Sequence, residues 1–349
     1  MIPLFVSKLS DPGTDGTRTG TIAPPSRRAT HRTQRGMRAA RTVPAWSPGD
    51  GPAVVVRNLA KRYGETLAVD GVSLDVAAGE FFGLLGPNGA GKTTTLEMVE
   101  GLREPDQGYV QLLGRRPWPR CPQLLTRIGV QLQASAFFDR LTVREQIRTF
   151  ASLYGTPFRR AEEMIDAVGL ADHRDVRVEA LSGGQVQRLA LACTLVHDPE
   201  IIFLDEPTAM LDPQSRRNLR DLLGSLKATG RTVVLTTHHL EEAETLCDRV
   251  AIMDDGRLLQ VGAPATLVRA LDVPVSLSIP STAMREGRAR QLMGENDVAD
   301  DGVTLTIRTR SPEPVLAALG RAGALTGLRV SGATLEDVFL ELTGRKYRA

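Results

Sequence analysis

The chain has 349 residues, of which 42% are hydrophobic and 24% charged, an ordinary globular composition that excludes a fibrous or wholly disordered chain. No apolar run approaches the ~18 residues that a membrane-spanning helix needs, so a role at a membrane would require another chain. The three cysteines, Cys121, Cys193 and Cys247, lie far apart, which argues against a disulfide framework or a zinc site and favours a reducing compartment. The net charge of +2 combines a basic stretch at 1–50 with a mildly acidic remainder, which disfavours nucleic acid as the main partner.

Residues 1–50 mix Pro, Gly, Ser, Thr and Arg without helical or strand periodicity. Such a composition cannot bury enough surface to offset its ordering entropy, so we predict a disordered basic tail. Arg-rich, Ser/Thr-rich and acid-poor segments also resemble organellar transit peptides. The alternatives are a solvated tail and an upstream start codon, with Met37 as the true start.

From residue 53 the pattern changes to that of a folded α/β protein. Strands are predicted at 53–57, 73–76 and 81–85, and the third is apolar on both faces, which is typical of a buried central strand. A glycine-rich loop at 86–91 follows it, and then a helix at 92–100. Apolar residues spaced by three or four predict a helical insertion at 143–168.

Strands and helices then alternate, which predicts an α/β domain. The predicted strands lie at 201–204, 232–236, 250–253 and 257–260. The predicted helices begin at Ser182 and span 213–228 and 240–246. After residue 262 we expect a small α+β domain, with strands at 275–279 and 303–308 and helices at 283–293, 314–322 and 335–342.

One segment fits the phosphate-binding pattern G-x-x-x-x-G-K-[ST]. Its glycines allow the backbone to approach a polyphosphate closely, and the N-terminus of the following helix adds a favourable dipole. The lysine would add a positive charge at the β- and γ-phosphates, and the first threonine a hydroxyl for Mg²⁺. An ordinary glycine turn is the alternative, which the order of strand, loop and helix disfavours. The residues are Gly86, Pro87, Asn88, Gly89, Ala90, Gly91, Lys92, Thr93 and Thr94.

Two acids, Asp205 and Glu206, follow the apolar residues 201–204. Asp205 is placed to hold Mg²⁺ through water, and Glu206 to polarise an attacking water as general base. The alternative is a strand that simply ends in polar residues. The phosphate-binding pattern upstream favours the functional interpretation.

Residues 181–185 read Leu-Ser-Gly-Gly-Gln and permit two interpretations. Ser182 and Gln185 could form a capping box at the start of a helix. However, Gly183 and Gly184 would each weaken that helix by roughly 1 kcal/mol relative to alanine. Two glycines at a helix start instead expose backbone N–H groups to an anion, which favours a second phosphate-binding segment.

With these motifs in this order, residues 54–267 resemble the nucleotide-binding subunit of an ATP-binding cassette (ABC) transporter. The resemblance implies a P-loop NTPase fold of the ABC type with a helical signature subdomain, binding ATP and Mg²⁺. Residues 86–94 correspond to the family's Walker A motif, 181–185 to its signature and 201–206 to its Walker B motif. The other matching residues are the Q-loop glutamine Gln133, the D-loop aspartate Asp212, the switch histidine His238 and the adenine-stacking Tyr63.

Each of these four residues has an alternative. Gln131 is the alternative to Gln133 as the Q-loop glutamine, and His239 is the alternative to His238 as the switch histidine. Asp212 could simply cap the helix that follows it, or do so in addition to its D-loop role. Tyr63 could be a partly buried surface aromatic. The resemblance further implies catalytic roles for Glu206, His238 and Gln133, and Mg²⁺ contacts from Thr93, Gln133 and Asp205. Ala209 and Met210 depart from the family, which often has Ser and Gly there.

The resemblance implies two cassettes that face each other head to tail, here a homodimer, and a separate integral membrane permease. The subunit would then lie on the cytoplasmic face of the cell membrane. Residues 334–344 resemble the tail of daunorubicin-resistance type export ATPases, which implies export of a drug-like, lipid or polysaccharide substrate. The alternatives are a soluble ABC-type mechanoenzyme acting on ribosomes or DNA and a binding-only regulatory cassette, against which the intact Glu206 argues.

The predicted organisation is therefore a tail at 1–50, an ATP-binding domain at 51–262 and a small α+β domain at 263–349. The helical subdomain occupies about 134–196. Within it, residues 134–154 match the region that receives the membrane partner in such subunits. Phe137 and Phe138 could line a groove for that partner, or they could belong to the core of the helical insertion.

Overall fold

A computed structural model of the chain describes residues 51–132, 137–294 and 296–344. The strands are β1 (Val54–Tyr63), β2 (Thr66–Val76), β3 (Phe81–Leu85), β4 (Gln107–Leu112), β5 (Ile128–Gln131), β6 (Ile201–Asp205), β7 (Thr232–Thr237), β8 (Arg249–Asp254), β9 (Arg257–Gly262), β10 (Val275–Pro280), β11 (Asp297–Asp300), β12 (Thr304–Thr309) and β13 (Arg329–Ser331). The helices are α1 (Lys92–Val99), α2 (Pro122–Leu125), α3 (Val143–Leu153), α4 (Phe158–Ala167), α5 (Gly183–Leu195), α6 (Pro213–Lys227), α7 (Leu240–Leu246), α8 (Pro264–Ala270), α9 (Glu286–Met293), α10 (Pro312–Arg321) and α11 (Leu335–Thr343). The predicted tail at 1–50 lies outside the described residues.

The largest sheet of the described residues has six strands, in the order β5-β6-β7-β3-β8-β9, and is called the central sheet. All neighbouring pairs are parallel except β8 and β9. Every residue of β3, β6 and β7 is buried, as expected for strands that are apolar on both faces. The carboxyl ends of these three strands lie side by side, and the predicted phosphate loop, acidic pair and switch histidine follow them in the sequence.

The first two strands are longer than the sequence predicted. Strands β1 and β2 form an antiparallel hairpin, and β4 pairs with the other edge of β1. The pairing of β1 with β2 shifts register after Val56, after Leu59 and after Lys61. These irregularities interrupt the alternation of apolar and polar residues, which explains why the pattern reached only residue 57.

The predicted helical insertion at 143–168 consists of two helices, α3 and α4. Helix α3 begins at a capping box in which Thr142 and Glu145 bond reciprocally to each other's backbone N–H. It ends before Gly155, whose φ of +67° is left-handed, and Pro157 then precedes α4. Helices α3, α4 and α5 enclose an apolar core of their own.

A separate four-stranded antiparallel sheet lies in the carboxyl-terminal part, with the order β11-β12-β10-β13. The elements β10, α9, β11, β12, α10 and β13 follow each other as βαββαβ, which is the ferredoxin-like arrangement. Its core is separate and is formed by residues such as Leu277, Leu305, Ile307 and Leu319. The sequence predicted a small α+β unit here and located two of its four strands.

The last helix packs away from that small sheet. Leu335, Val338 and Phe339 of α11 belong to the apolar cluster of the central sheet, as does Leu267 of α8. The segment after residue 262 therefore contributes to two cores. The domain division at 263 remains a prediction.

Candidate functional site

The predicted phosphate loop connects β3 to α1 and lies at the carboxyl end of the parallel strands of the central sheet. Gly91 has a φ of +95°, and a Cβ atom there would lie 2.4 Å from the carbonyl oxygen of Ala68, so only glycine fits this position. At Gly89 a Cβ would meet no atom within 4 Å, so the outer side of the loop is open. The other predicted residues on this segment are Gly86, Pro87, Asn88 and Ala90, with Thr93 and Thr94 in the first turn of α1.

Helix α1 starts at Lys92 with no side chain capping its N-terminus. Its first backbone N–H groups therefore face the loop without a side-chain acceptor, which suits the binding of an anion. Lys92 itself is buried, and its Nζ donates to the carbonyl oxygens of Gly86 at 2.9 Å and Pro87 at 3.1 Å. These two hydrogen bonds hold the lysine side chain across the predicted phosphate loop.

Glu206 lies directly after β6. Its side chain contacts both the lysine that follows the phosphate loop and the histidine that follows β7. Its Oε1 is 3.3 Å from Lys92 Nζ, and its Oε2 is 3.0 Å from His238 Nδ1. The backbone N–H of Glu206 donates to Thr236 Oγ1 at 2.9 Å. Glu206 is buried and has a φ of +46°, a conformation that a non-glycine residue adopts at a cost in free energy. Lys92, Glu206 and His238 therefore form one cluster.

His239, the alternative switch residue, makes a different set of contacts. Its ring lies 4.1 Å from that of His238, between ring centroids, and its backbone N–H donates to Thr237 Oγ1. Burial lowers the pKa of His239 to about 4, so it is neutral at physiological pH. The hydrogen bond to Glu206 belongs to His238, and the role of His238 as the switch histidine stays a prediction.

Asp205 and Thr93 place oxygen atoms beside each other at the end of β6. Thr93 Oγ1 donates to Asp205 Oδ1 at 3.3 Å, and Thr236 Oγ1 donates to the same oxygen at 2.5 Å. Burial raises the pKa of Asp205. One carboxylate and one hydroxyl are hard oxygen donors that fit Mg²⁺, which proteins usually bind with one or two carboxylates and the phosphates of a substrate. No group of three or more metal-binding side chains occurs among residues 51–132, 137–294 and 296–344.

The predicted signature segment forms the first turn of α5. Ser182 and Gln185 make the capping box, with the Ser182 N–H donating to Gln185 Oε1 at 2.8 Å and the Gln185 N–H donating to Ser182 Oγ at 3.3 Å. The two glycines differ in their surroundings. A Cβ at Gly183 would meet nothing within 4 Å, whereas a Cβ at Gly184 would lie 2.6 Å from Ser215 Oγ. Gly184 is thus required by the close approach of α6.

Asp212 caps α6, as one of the two interpretations of the sequence expected. Its Oδ1 accepts hydrogen bonds from the backbone N–H groups of Gln214 and Ser215, both at 3.0 Å. Hydrogen bonds from Ser215 lower the pKa of Asp212. Two residues earlier, Met210 has a φ of +59° and a side chain that is 99% exposed.

The structure describes Tyr63 but not the predicted Q-loop glutamine. Tyr63 ends β1 with its ring partly exposed, and the guanidinium of Arg103 lies 5.3 Å from the ring centroid. Gln133 lies outside the described residues. Its competitor Gln131 is buried and donates from Nε2 to Gln187 Oε1 at 2.7 Å.

Comparison with known proteins identifies the family. A family model described as ABC transporter matches residues 69–209. A Burkholderia lata protein named Nod factor export ATP-binding protein I is 41% identical over 300 residues, which cover 83% of this chain and 96% of the relative. A Ralstonia nicotianae protein of the same name is 40% identical over 312 residues, covering 86% and 96%. The chain belongs to the ABC transporter ATP-binding proteins.

Solved ABC structures are similar to part of the chain. A Clostridium perfringens protein described as part of an ABC transporter complex is 28% identical with a TM-score of 0.57, covering 61% of this chain and 89% of that one. A dimeric ABC cassette described as a post-hydrolysis state with ADP and Pi is 29% identical with a TM-score of 0.55, covering 60% and 98%. The chain is an ABC ATPase, and it has the fold predicted from its motifs.

Two residues that contact this ABC site were absent from the sequence predictions. Thr236 bonds both to Asp205 and to the backbone of Glu206, and Glu242 accepts a hydrogen bond from Thr208, two residues after Glu206. For Thr236, its position directly after the apolar residues 233–235 of β7 was a usable signal. For Glu242 the sequence offered none, because a helical glutamate is usually exposed.

The described part of this ABC subunit contains no helix that combines the length and the apolar character needed to cross a membrane.

Proposed function

We propose that this ABC subunit hydrolyses ATP to energise export through a separate transmembrane subunit. Two similarities support export. The Burkholderia lata and Ralstonia nicotianae relatives carry the word export in their names, together with a Nod factor. Residues 334–344 also resemble the tail of daunorubicin-resistance type export ATPases. The substrate class that we propose is a drug-like, lipid or polysaccharide molecule.

In this proposal the loop at 86–94 holds the phosphates of ATP, and Tyr63 stacks on the adenine. Thr93, Asp205 and Gln133 would hold Mg²⁺, which would supply positive charge to neutralise the charge that develops on the phosphates. Lys92 contributes a positive charge at the same place. The uncapped start of α1 and the paired oxygens of Thr93 and Asp205 support this assignment.

Glu206 acts as the general base in the proposed mechanism, with His238 and Gln133 assisting. A carboxylate accepts the proton of the attacking water, and a hydrogen-bonded imidazole fixes the orientation of that carboxylate. The observation that carries the proposal is the cluster in which the buried Glu206 contacts both the buried Lys92 and the half-buried His238. It brings the proposed base and the proposed phosphate-binding lysine together in one site.

We further propose that two copies of the chain form a head-to-tail homodimer. Ser182, Gly183, Gly184 and Gln185 of one copy would contact the ATP held by the other, with Asp212 beside it. An integral membrane permease would hold the pair on the cytoplasmic face of the cell membrane, and no nucleic acid is expected as a partner. The structural relative described as dimeric with ADP and Pi supports a dimer.

Fractionation of native cells together with an ATPase assay tests this proposal. We expect the protein to sediment with membranes, and the membrane-bound form to hydrolyse ATP in a reaction that Glu206→Gln abolishes. A wholly soluble protein that co-sediments with ribosomes or DNA at low salt would instead indicate the mechanoenzyme. Unchanged hydrolysis by Glu206→Gln would refute the proposed base.

A further inference from the structure

Glu242 is a buried carboxylate in α7, four residues after His238. The residue is only 3% exposed, and its Oε2 accepts a hydrogen bond from Thr208 Oγ1 at 2.7 Å. Thr208 lies two residues after Glu206. This hydrogen bond therefore joins the loop that carries Glu206 to the helix that follows His238.

The other oxygen of Glu242 faces α6. Arg216 Nε lies 3.8 Å from Glu242 Oε1, and Arg220 Nη2 lies 3.9 Å from it. Arg216 Nη2 also donates to the backbone carbonyl of Leu211 at 3.3 Å, and the next residue in the chain is Asp212. Arg216 thus extends the contact from Glu242 to the segment that carries Asp212.

These contacts are costly if their only use is to hold the fold together. A buried ion pair contributes little net stability, because the desolvation of its charges offsets their attraction. Burial raises the pKa of Glu242, while the Thr208 hydrogen bond and the two arginines act in the opposite direction. Within the described residues Glu242 Oε1 has no hydrogen-bond partner, and neither has the Nε of Arg216 or Arg220. A buried charge that adds little free energy can instead serve to fix the relative positions of the segments it contacts.

We propose that Glu242 is a positioning residue for ATP hydrolysis, which holds together the three segments that carry Glu206, Asp212 and His238. It acts through Thr208 and Arg216. The inference rests on the roles proposed above for Glu206 and His238, and it assigns to α7 a part in the reaction beyond packing.

Steady-state hydrolysis by the full-length chain tests the inference, with kcat and KM for ATP measured separately. Glu242→Gln keeps an acceptor for Thr208 but removes the charge that faces the arginines, and Glu242→Leu removes both. We expect kcat to fall about tenfold or more in Glu242→Leu and less in Glu242→Gln, with KM within about twofold, because neither change touches the phosphate loop. Glu241→Gln, at the exposed neighbouring position, is the control and should leave both constants unchanged.

The split between kcat and KM distinguishes positioning from stability. A structural role would lower the denaturation midpoint while the folded protein kept its kcat, and that result would overturn the inference. Normal kcat in a folded Glu242→Leu would do the same. If Glu242→Leu does not fold, Thr208→Val decides, because it removes only the hydroxyl; a wild-type kcat in that variant would overturn the inference.

Glu206→Gln serves as the reference in the same assay. If it hydrolyses ATP at the wild-type rate, the proposed base is wrong whatever the Glu242 variants do. If it is inactive while the Glu242 and Thr208 variants match wild type, only the inference about Glu242 fails.

Discussion

Lys92 Nζ lies 3.3 Å from Glu206 Oε1, and both side chains are buried. The lysine proposed to contact phosphate and the carboxylate proposed to accept a proton therefore neutralise each other in the free chain. An incoming phosphate would compete with Glu206 for Lys92. If phosphate displaced Glu206 from Lys92, Glu206 would keep its hydrogen bond to His238. Phosphate binding would therefore free the carboxylate of Glu206 from the lysine, so that it could act as the base.

Glu206→Gln should bind ATP at least as well as wild type and lose nearly all turnover. The substitution removes the general base, which contributes on the order of 10²–10⁴ to a rate, and it also removes the anion that competes for Lys92. Phosphate release measures the first effect and equilibrium binding of a fluorescent ATP analogue the second. Substantially weaker binding by this variant would contradict the competition between phosphate and Glu206.

Lys92→Ala should act on binding instead. It removes a charged contact to phosphate, and such contacts contribute about 1.5–3 kcal/mol, or roughly 10- to 150-fold in Kd. The same binding assay checks it, with Glu206→Gln as the matched comparison within the cluster. A Kd equal to that of wild type would show that Lys92 stays with Glu206 when ATP is bound.

Gly183→Ala and Gly184→Ala should behave differently although the glycines are adjacent. A Cβ at Gly184 meets Ser215 Oγ at 2.6 Å, so alanine there should lower the free energy of unfolding by about 1–3 kcal/mol, and Ser215→Gly should restore part of that loss. Alanine at Gly183 meets no atom and should leave stability unchanged or slightly higher. Denaturant titration of both variants and the double variant provides the measurement. Equal destabilisation by the two single variants would contradict the predicted contact.

Phe137 and Phe138, for which the sequence left two interpretations open, differ in burial. Phe137 packs against the core of α3, α4 and α5, whereas Phe138 is 63% exposed. Phe138→Ser should keep the stability and ATP binding of the chain but reduce the fraction recovered with membranes that contain the proposed permease. Phe137→Ser should lower the free energy of unfolding by about 1–3 kcal/mol. If Phe138→Ser remained fully membrane-associated, Phe138 would not be part of the permease contact.

Asp205→Asn should stabilise the ligand-free chain at neutral pH. Burial raises the pKa of Asp205, so the folded state binds the proton more tightly than the unfolded state does. The stability that this contributes is present below the unfolded pKa of 3.8 and is lost as pH rises through the higher folded value. The stability of Asp205→Asn relative to wild type should therefore be greater at about pH 7 than at about pH 4, measured by denaturant titration without Mg²⁺ or nucleotide. A difference that did not change with pH would contradict the prediction.

The sequence predicted the elements whose chemistry is local. The strand at 81–85, the loop and the helix start at Lys92 all follow from neighbouring residues. The capping box at Ser182 is present in the structure, although Gly183 and Gly184 had favoured the other interpretation of that segment. Contacts between distant segments were not predicted. Gly184 depends on Ser215 in another helix, and neither the bond from Thr208 to Glu242 nor the pairing of Lys92 with Glu206 follows from a spacing in the chain.

The ferredoxin-like sheet was only partly predictable for a related reason. Strand β13 is three exposed residues long, and β11 has a single buried residue. Neither has enough alternation to be recognised as a strand. Their pairing depends on partners far along the chain, such as β10 for β13.

Because α8 and α11 both pack on the central core, the ferredoxin-like sheet is an insertion fastened at both ends rather than an appendage on one linker. A chain shortened to end after β13 would leave the site of Phe339 uncovered and would expose an apolar surface on the ATPase itself. Replacing residues 272–333 with a flexible linker would instead keep α11 in place. Truncation should thus lower the solubility of the chain, whereas internal replacement of the same sheet should leave it unchanged.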